Sequence, residues 1–212
     1  MTKETARQPQ HHSESGNADQ LHQGVCASAE LAPYCSHVRE LVSAERFGHI
    51  ERVTETAVAI AEANGLSQVD RDRIALAAIL HDAARDLPDE ELLRLGQPVD
   101  EFEASHPLTL HGRASKQLAA TWGVTDQVVL EAIDGHVFGV PLGHRVGMCV
   151  YVADVCEPGR GVNDDLRELA MHDLESAYRR AVASKVEYLR DAGKAIHPDT
   201  LSVFHSLNAE PT

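Results

Sequence analysis

The sequence predicts an all-α chain folded as one domain. Three observations carry this. Apolar residues recur at helical steps from Pro33 onward. Helix start and stop residues bracket each apolar segment. No stretch of useful length alternates as a strand does. The 212 residues suit one domain, and 43% apolar residues are enough to bury a core.

Residues 1–32 are polar and rich in Gln, His, Ser and Glu, so they read as a disordered tail, with the folded domain at 33–208. A short helix is expected from Tyr34 to Ala44. The next carries Phe47, Ile50, Val53, Ala57 and Ile60 on one face and stops at Asn64-Gly65. Ser67 to Asp70 has the form of a capping box and starts a helix with Ile74, Leu76, Ala77, Ile79 and Leu80. Pro88 opens a short acidic helix ending at Gly96. Pro107 opens another, with Leu110, Ala114, Leu118 and Ala119 on one side and Gly123 as its stop. Thr125 caps a helix through Ile133. An apolar helix runs from about His144 to Cys156 and is closed by Glu157-Pro158-Gly159. Its run Met148 to Val152 is compatible with a strand taken alone, but its flanks are helical. Asp164 to Asp191 is helical with a break near His172-Asp173, and a final turn or helix follows Pro198.

Charge and composition exclude several classes. Asp and Glu number 33 against 19 Lys and Arg, a net charge of −14, which argues against a sequence-blind nucleic-acid coat. No stretch approaches the roughly 18 apolar residues of a membrane helix. The first residues lack the apolar core of a secretory signal. The four cysteines contain no C-x-x-C pair and are too few for a disulfide scaffold, so a reduced, cytoplasmic location is the default. Cys149 and Cys156 lie on one helix face and read as core, which leaves the oligomeric state open.

Thirteen histidines need an explanation. His81-Asp82 ends the buried segment IALAAIL, so a helix delivers two ligand-type residues at its C-terminal end. Adjacent helical residues point about 100° apart, so the pair needs partners from other helices. His49, His111, His136 and Asp154 lie at suitable places, and Asp154 sits in an apolar run where an unpaired carboxylate is costly. The order H…HD…H…H…D offers six candidate ligands from five helices. Imidazole with carboxylate favours Fe, Mn, Co, Ni or Zn over Ca or Mg. Asp82 could bridge two ions about 3.5–4 Å apart, an arrangement that polarises a phosphoryl oxygen and supplies hydroxide near neutral pH. Arg85 follows Asp82 by one helical turn, Arg46 precedes His49 by three residues, and Arg160 follows Asp154. Three arginines near three ligand positions suit a polyphosphate. Each residue alone has a blander reading: a core histidine, a cap, a salt bridge. Their joint order is what favours a metal site.

The stretches RFGHIERV, LAAILHDAARDLP, LHG, VADVCEPGR and AIHPDT, with the helix-end His136, resemble the HD-domain phosphohydrolases. Within them, the resemblance is to the YqeK-type symmetrical diadenosine tetraphosphate hydrolases, over about residues 40 to 205. EPGR with IHPDT is more specific to that type than H…HD…D. The resemblance implies a helical HD-domain bundle with a di-iron centre, held by His49, His81, Asp82, His111, His136 and Asp154, with Asp82 bridging. It implies cleavage of diadenosine tetraphosphate to two ADP. Asp82 and Arg85 would act in catalysis, and Arg46, Arg85, Asp86 and Arg160 would bind substrate, Asp86 also as a partner behind the first ligands. Arg85 stands where the family usually has lysine and keeps the cation. Val137-Phe138 replace two family threonines, which alters the pocket mouth and leaves the exact nucleotide open. His197 either reaches toward substrate or only precedes the last helix, and the structural role is favoured. Two other readings compete: another HD reaction, such as a mixed-valence di-iron oxygenase, and a nucleotide-binding module without turnover. The arginines and EPGR–IHPDT speak against the first, the complete ligand set against the second.

Overall fold

The computed structural model describes residues 24–208, so most of the expected tail lies outside the described residues. Eleven α-helices and three 3-10 turns make up the described residues, which contain no strand.

The helices are α1 (Ala32–Leu41), α2 (Ala44–Ala63), α3 (Gln68–Leu80), α4 (Asp89–Gly96), α5 (Glu101–Ser105), α6 (His111–Thr121), α7 (Gln127–Phe138), α8 (Arg145–Cys156), α9 (Asp164–His172), α10 (Leu174–Asp191) and α11 (Pro198–Asn208). α8 lies at the centre. Its residues Val146 to Ala153 are all buried, so it is apolar on every face, and the run Met148 to Val152 is helix. α2, α3, α7 and α10 pack around it.

Local chemistry sets the helix ends. Ser43 and Ser67 each accept a backbone N–H three residues on, which starts α2 at Ala44 and α3 at Gln68. Ser43 thereby divides the expected Tyr34–Ala44 helix from the next. Asp126, not Thr125, caps α7, which runs on to Phe138 and so keeps His136 in its last turn. Asn64 explains the break before α10: its amide donates to the carbonyls of Ile60 and Ala170, and its oxygen accepts from Leu174 N–H. α5 has no counterpart in the sequence reading, because five residues show no period. The Tyr178 hydroxyl accepts from Val140 N–H and donates to Val140 C=O, which pins the turn after α7.

Two expectations are corrected at the N-terminus. Residues 24–31 are not tail: a 3-10 turn at Val25–Ala27 precedes α1, and Val25, Cys26 and Leu31 pack on the core. The cysteines are not all reduced, because α1 brings Cys35 within 6.0 Å of Cys26, Cα to Cα, and the two form a disulfide. Cys149 and Cys156 are free and buried, as expected. Burial pushes the Cys149 thiol up to about 12 and that of Cys156 to about 11. Both should therefore resist alkylation at pH 8 in native protein. In urea, mass spectrometry should find two alkylated thiols without reductant and four with it; four without reductant would mean that the Cys26–Cys35 bond is absent. No helix among the described residues is long and apolar enough to cross a membrane.

Candidate metal centre

All six expected donors converge at one place beside α8. His81 is the residue at which α3 ends, and the chain continues through Asp82 in tight turns. The Ser115 hydroxyl of α6 accepts from Ala84 N–H and fixes that turn. His111 opens α6, His136 lies in the last turn of α7, His49 lies on α2 and Asp154 on α8. Gly112 allows the approach of α6 to α7: a Cβ there would lie 2.7 Å from the Val137 side chain and 2.8 Å from the Asp134 carbonyl. Any larger residue would push His111 away from His136.

The ring protons are assigned by their neighbours. Nδ1 of His81, His111 and His136 donates to the carbonyls of Ala78, Leu108 and Ile133 at 2.7, 2.6 and 2.6 Å. His49 Nδ1 donates to Glu157 Oε1 at 3.1 Å. In the neutral rings this leaves every Nε2 as a lone pair, and all four face the two aspartates. Asp82 Oδ1 lies 3.3 Å from His111 Nε2 and 3.5 Å from His136 Nε2. Its Oδ2 lies 3.6 Å from His81 Nε2 and 3.8 Å from His49 Nε2. Asp154 Oδ1 lies 3.1 Å from His49 Nε2 and 4.0 Å from His81 Nε2.

These donors fit a cation better than they fit one another. Nε2 of His111 and Nε2 of His136 face each other at 3.0 Å, lone pair against lone pair. Nε2 of His49 and of His81 are buried with no hydrogen-bond partner among the described residues, a costly state for a polar atom. Two overlapping donor groups exist, His49–His81–Asp154 and His81–Asp82–His136, each with its atoms within 4.8 Å of one another.

Electrostatics keeps His81 and His111 neutral and both aspartates charged, whereas it favours protonation of His49. Burial pushes His81 down to about 4 and lowers His111, so both are neutral at pH 7. Burial opposes the charge of Asp82, but its surroundings outweigh it and hold the carboxyl well below its usual range. Asp154 is likewise held down against burial by His49, His81 and Arg160. For His49, burial is outweighed by Asp154 and Glu157, which raise it.

The expected cations divide. Arg46 Nη1 donates to Asp82 Oδ2 at 3.0 Å, and Arg160 Nη2 to Asp154 Oδ1 at 2.5 Å. Asp86 accepts from Ser43 N–H at 2.9 Å and lies 3.7 Å from Arg46 Nε, so it orients Arg46 from behind. Arg85 is half-buried and makes no ion pair with a described residue.

Two further residues of the site are not singled out as site residues by the sequence. Glu157, which reads as part of a helix stop, is buried and joins Arg52 Nε at 2.7 Å to the His49 ring, so it sets that ring's orientation. Lys185 of α10 is half-buried, and its ammonium donates to the Val137 carbonyl next to His136. His197 is not in the site. Its ring stacks on Phe138 at 3.9 Å and its Nε2 faces Glu103 at 3.3 Å, a structural role.

Two cavities flank the donors. One of about 760 Å³ lies between α8 and α10 and includes His136, Asp154 and Lys185 in its wall. The other, about 340 Å³, lies on the α2 side against His49. Arg160 lines both.

The sequence model of the HD domain family matches residues 46–159, which run from Arg46 past Asp154. The symmetrical bis(5'-nucleosyl)-tetraphosphatase of Bacillus subtilis (strain 168) is 30% identical over 177 residues, 80% of this chain and 93% of that protein. The protein of the same name from Halalkalibacterium halodurans is 27% identical over 183 residues, 82% of this chain and 94% of its own. A crystal structure of a predicted HD superfamily hydrolase involved in NAD metabolism from Clostridium acetobutylicum superposes with a TM-score of 0.77. It is 26% identical and covers 84% of this chain and 96% of that one. The chain thus belongs to the HD domain family, as a hydrolase homologous to the symmetrical bis(5'-nucleosyl)-tetraphosphatases.

Proposed function

We propose that this hydrolase cleaves diadenosine tetraphosphate, or a close dinucleoside polyphosphate, symmetrically to two nucleoside diphosphates in a two-metal site. The observation that carries the reading is Asp82, whose two oxygens each face a different pair of imidazoles. His49, His81, Asp82, His111, His136 and Asp154 would hold the two ions, with Asp82 central to the set. Four imidazoles and two carboxylates suit first-row divalent metals, and we take iron as the working assignment. Two such ions, when bound, would lower the pKa of a water and withdraw charge from a phosphoryl oxygen.

The chain's own groups do the rest. Arg46 and Arg160 lie against the two aspartates and offer their remaining N–H groups to phosphate oxygens. Arg85, uncommitted to any carboxylate, adds a third cation. Glu157 and the carbonyls of Ala78, Leu108 and Ile133 hold the rings still. In the reaction the P–O bond between the second and third phosphorus atoms breaks. Water adds its oxygen to one of the two atoms, and each half leaves as ADP.

The test is anaerobic purification with metal analysis, followed by product identification with diadenosine tetraphosphate. Metal-loaded protein should yield ADP as the sole nucleotide product. AMP with ATP would contradict the symmetrical assignment, and undiminished turnover in metal-stripped protein would contradict the metal role.

A further inference from the structure

We infer that Arg52, Glu157 and Gly159 form a positioning relay that decides which nitrogen of His49 keeps the ring proton, and so whether that ring is open to a cation or closed on Asp154. This rests on the metal reading above and adds to it three residues that stand behind His49.

His49 differs from the other three rings. His81, His111 and His136 each present Nδ1 to a backbone carbonyl three residues back, a neutral acceptor. His49 alone meets a carboxylate there, brought from the end of α8. It also has a second carboxylate at its other nitrogen. Glu157 Oε1 lies 3.1 Å from Nδ1 and Asp154 Oδ1 lies 3.1 Å from Nε2. A neutral imidazole has one proton for these two acceptors. On Nδ1 it leaves the Nε2 lone pair free. On Nε2 it would be donated to Asp154, and two expected ligands would then satisfy each other. The two contacts are equal in length but not in direction. Nδ1 is aligned on Glu157 as a hydrogen bond, whereas Nε2 has no hydrogen-bond partner among the described residues. The ring is thus turned toward Glu157.

What turns it is a carboxylate filled to capacity. Glu157 is 1% exposed. Its Oε1 accepts from His49 Nδ1 and, at 3.3 Å, from Arg52 Nη2. Its Oε2 accepts from Arg52 Nε at 2.7 Å and from Gly159 N–H at 2.5 Å. An ionised carboxylate has about four lone-pair sites and no proton of its own, so all of them are used. The two-point grip of the guanidinium fixes the carboxylate plane, and with it the direction of Oε1. Gly159 makes room for that grip. A Cβ there would lie 2.2 Å from Arg52 Nε and 2.6 Å from Cζ. Its φ is not positive, so the close approach of Arg52, not the turn, is what requires glycine. EPGR thereby has a physical reading: Glu157 holds the ring, Gly159 admits Arg52, and Arg160 pairs with Asp154.

The experiment uses full-length protein with Zn²⁺ as the probe, and needs no substrate. In metal-free protein at alkaline pH, long-range ¹H–¹⁵N NMR should find the His49 proton on Nδ1, its signals being those lost in His49→Gln. Glu157→Ala should move that proton to Nε2 and weaken Zn²⁺ binding, measured by chelator competition, by about 10–100-fold. Gly159→Ala keeps Glu157 but displaces Arg52. It should shift the proton in the same direction and weaken Zn²⁺ by about tenfold. Arg52→Ala should match it, and Arg52→Lys should recover part of the loss. Arg52 is 41% exposed on its side chain, so these last two variants keep the test open if Glu157→Ala does not fold. A merely structural role would lower the melting temperature and leave the proton on Nδ1. That result would overturn the inference, as would a proton on Nε2 in the unaltered protein, or variants that bind Zn²⁺ as tightly as it does. Failure of the unaltered protein to bind Zn²⁺ at all would overturn the metal reading with it.

Discussion

Asp82→Ala should abolish turnover, by about a thousandfold or more, and strip the metal from the protein while leaving it folded. The magnitude follows from what the carboxylate does. It is the one group with an oxygen facing each imidazole pair, and stabilisation of several kcal/mol from metal coordination converts to about three powers of ten in rate. Folding should survive, because removing a buried carboxylate relieves a desolvation cost. Arg46, its ion-pair partner, is partly exposed and keeps Asp86 nearby. Asp82→Asn is the sharper control: it keeps the shape and loses the charge. Metal per chain, circular dichroism and product formation should be measured together on both variants. Either variant with normal metal content and normal turnover would remove Asp82 from the centre.

The second large effect concerns stability rather than activity. Glu103 is fully buried, and it accepts from Arg113 Nη1 at 2.8 Å, Arg113 Nη2 at 2.7 Å and Val99 N–H at 2.8 Å. Burial alone would raise its pKa, but Arg113, the Val99 N–H and His197 outweigh it and hold the carboxyl low. Arg113→Ala leaves that carboxylate buried and uncompensated, which should cost about 3–5 kcal/mol. In a chain of this size the melting temperature would fall by roughly 6–20 °C. The pH dependence gives the sign. In the native protein the pair stabilises above the ordinary glutamate pKa and weakens as pH falls through the lowered value. In the variant Glu103 has lost Arg113, the strongest group that lowered it, and keeps only the Val99 N–H and His197, so burial weighs more and its pKa rises. The penalty is then full at pH 7 and shrinks toward pH 4, as the carboxyl takes up a proton. Urea titrations of both proteins at the two pH values would show the gap closing; a gap that widened on acidification would refute the assignment.

How much of this was legible in the sequence depends on what kind of force fixed each part. The long helices were, because their apolar spacing is a local pattern. So were His81-Asp82 and Asp154, because charged or ligand-type residues in apolar runs demand a reason. Glu157 was not: its role as the acceptor for both Arg52 and His49 exists only once α2 and α8 lie side by side. Lys185 sits on an amphipathic helix whose pattern says which face is buried but not what it faces. α5 is too short for a period, and the nine-residue separation of Cys26 and Cys35 matches no motif. The placement of Asp86 against Arg46 and the Ser43 N–H likewise needed the folded turn.

The donors also say something about the order of folding. They come from the ends of separate helices, from residue 49 to residue 154, and no two are helical neighbours except His81 and Asp82. Closing so long a loop costs little more than closing one of half the length, about 0.6 kcal/mol for each doubling. The demanding step is docking α2, α3, α6, α7 and α8 together. A partly folded chain therefore presents a bare His-Asp pair and nothing that could grip an ion firmly. Metal capture becomes a late event, a seal on packing already complete, and the centre can serve as a reporter of the native state rather than a nucleus for reaching it.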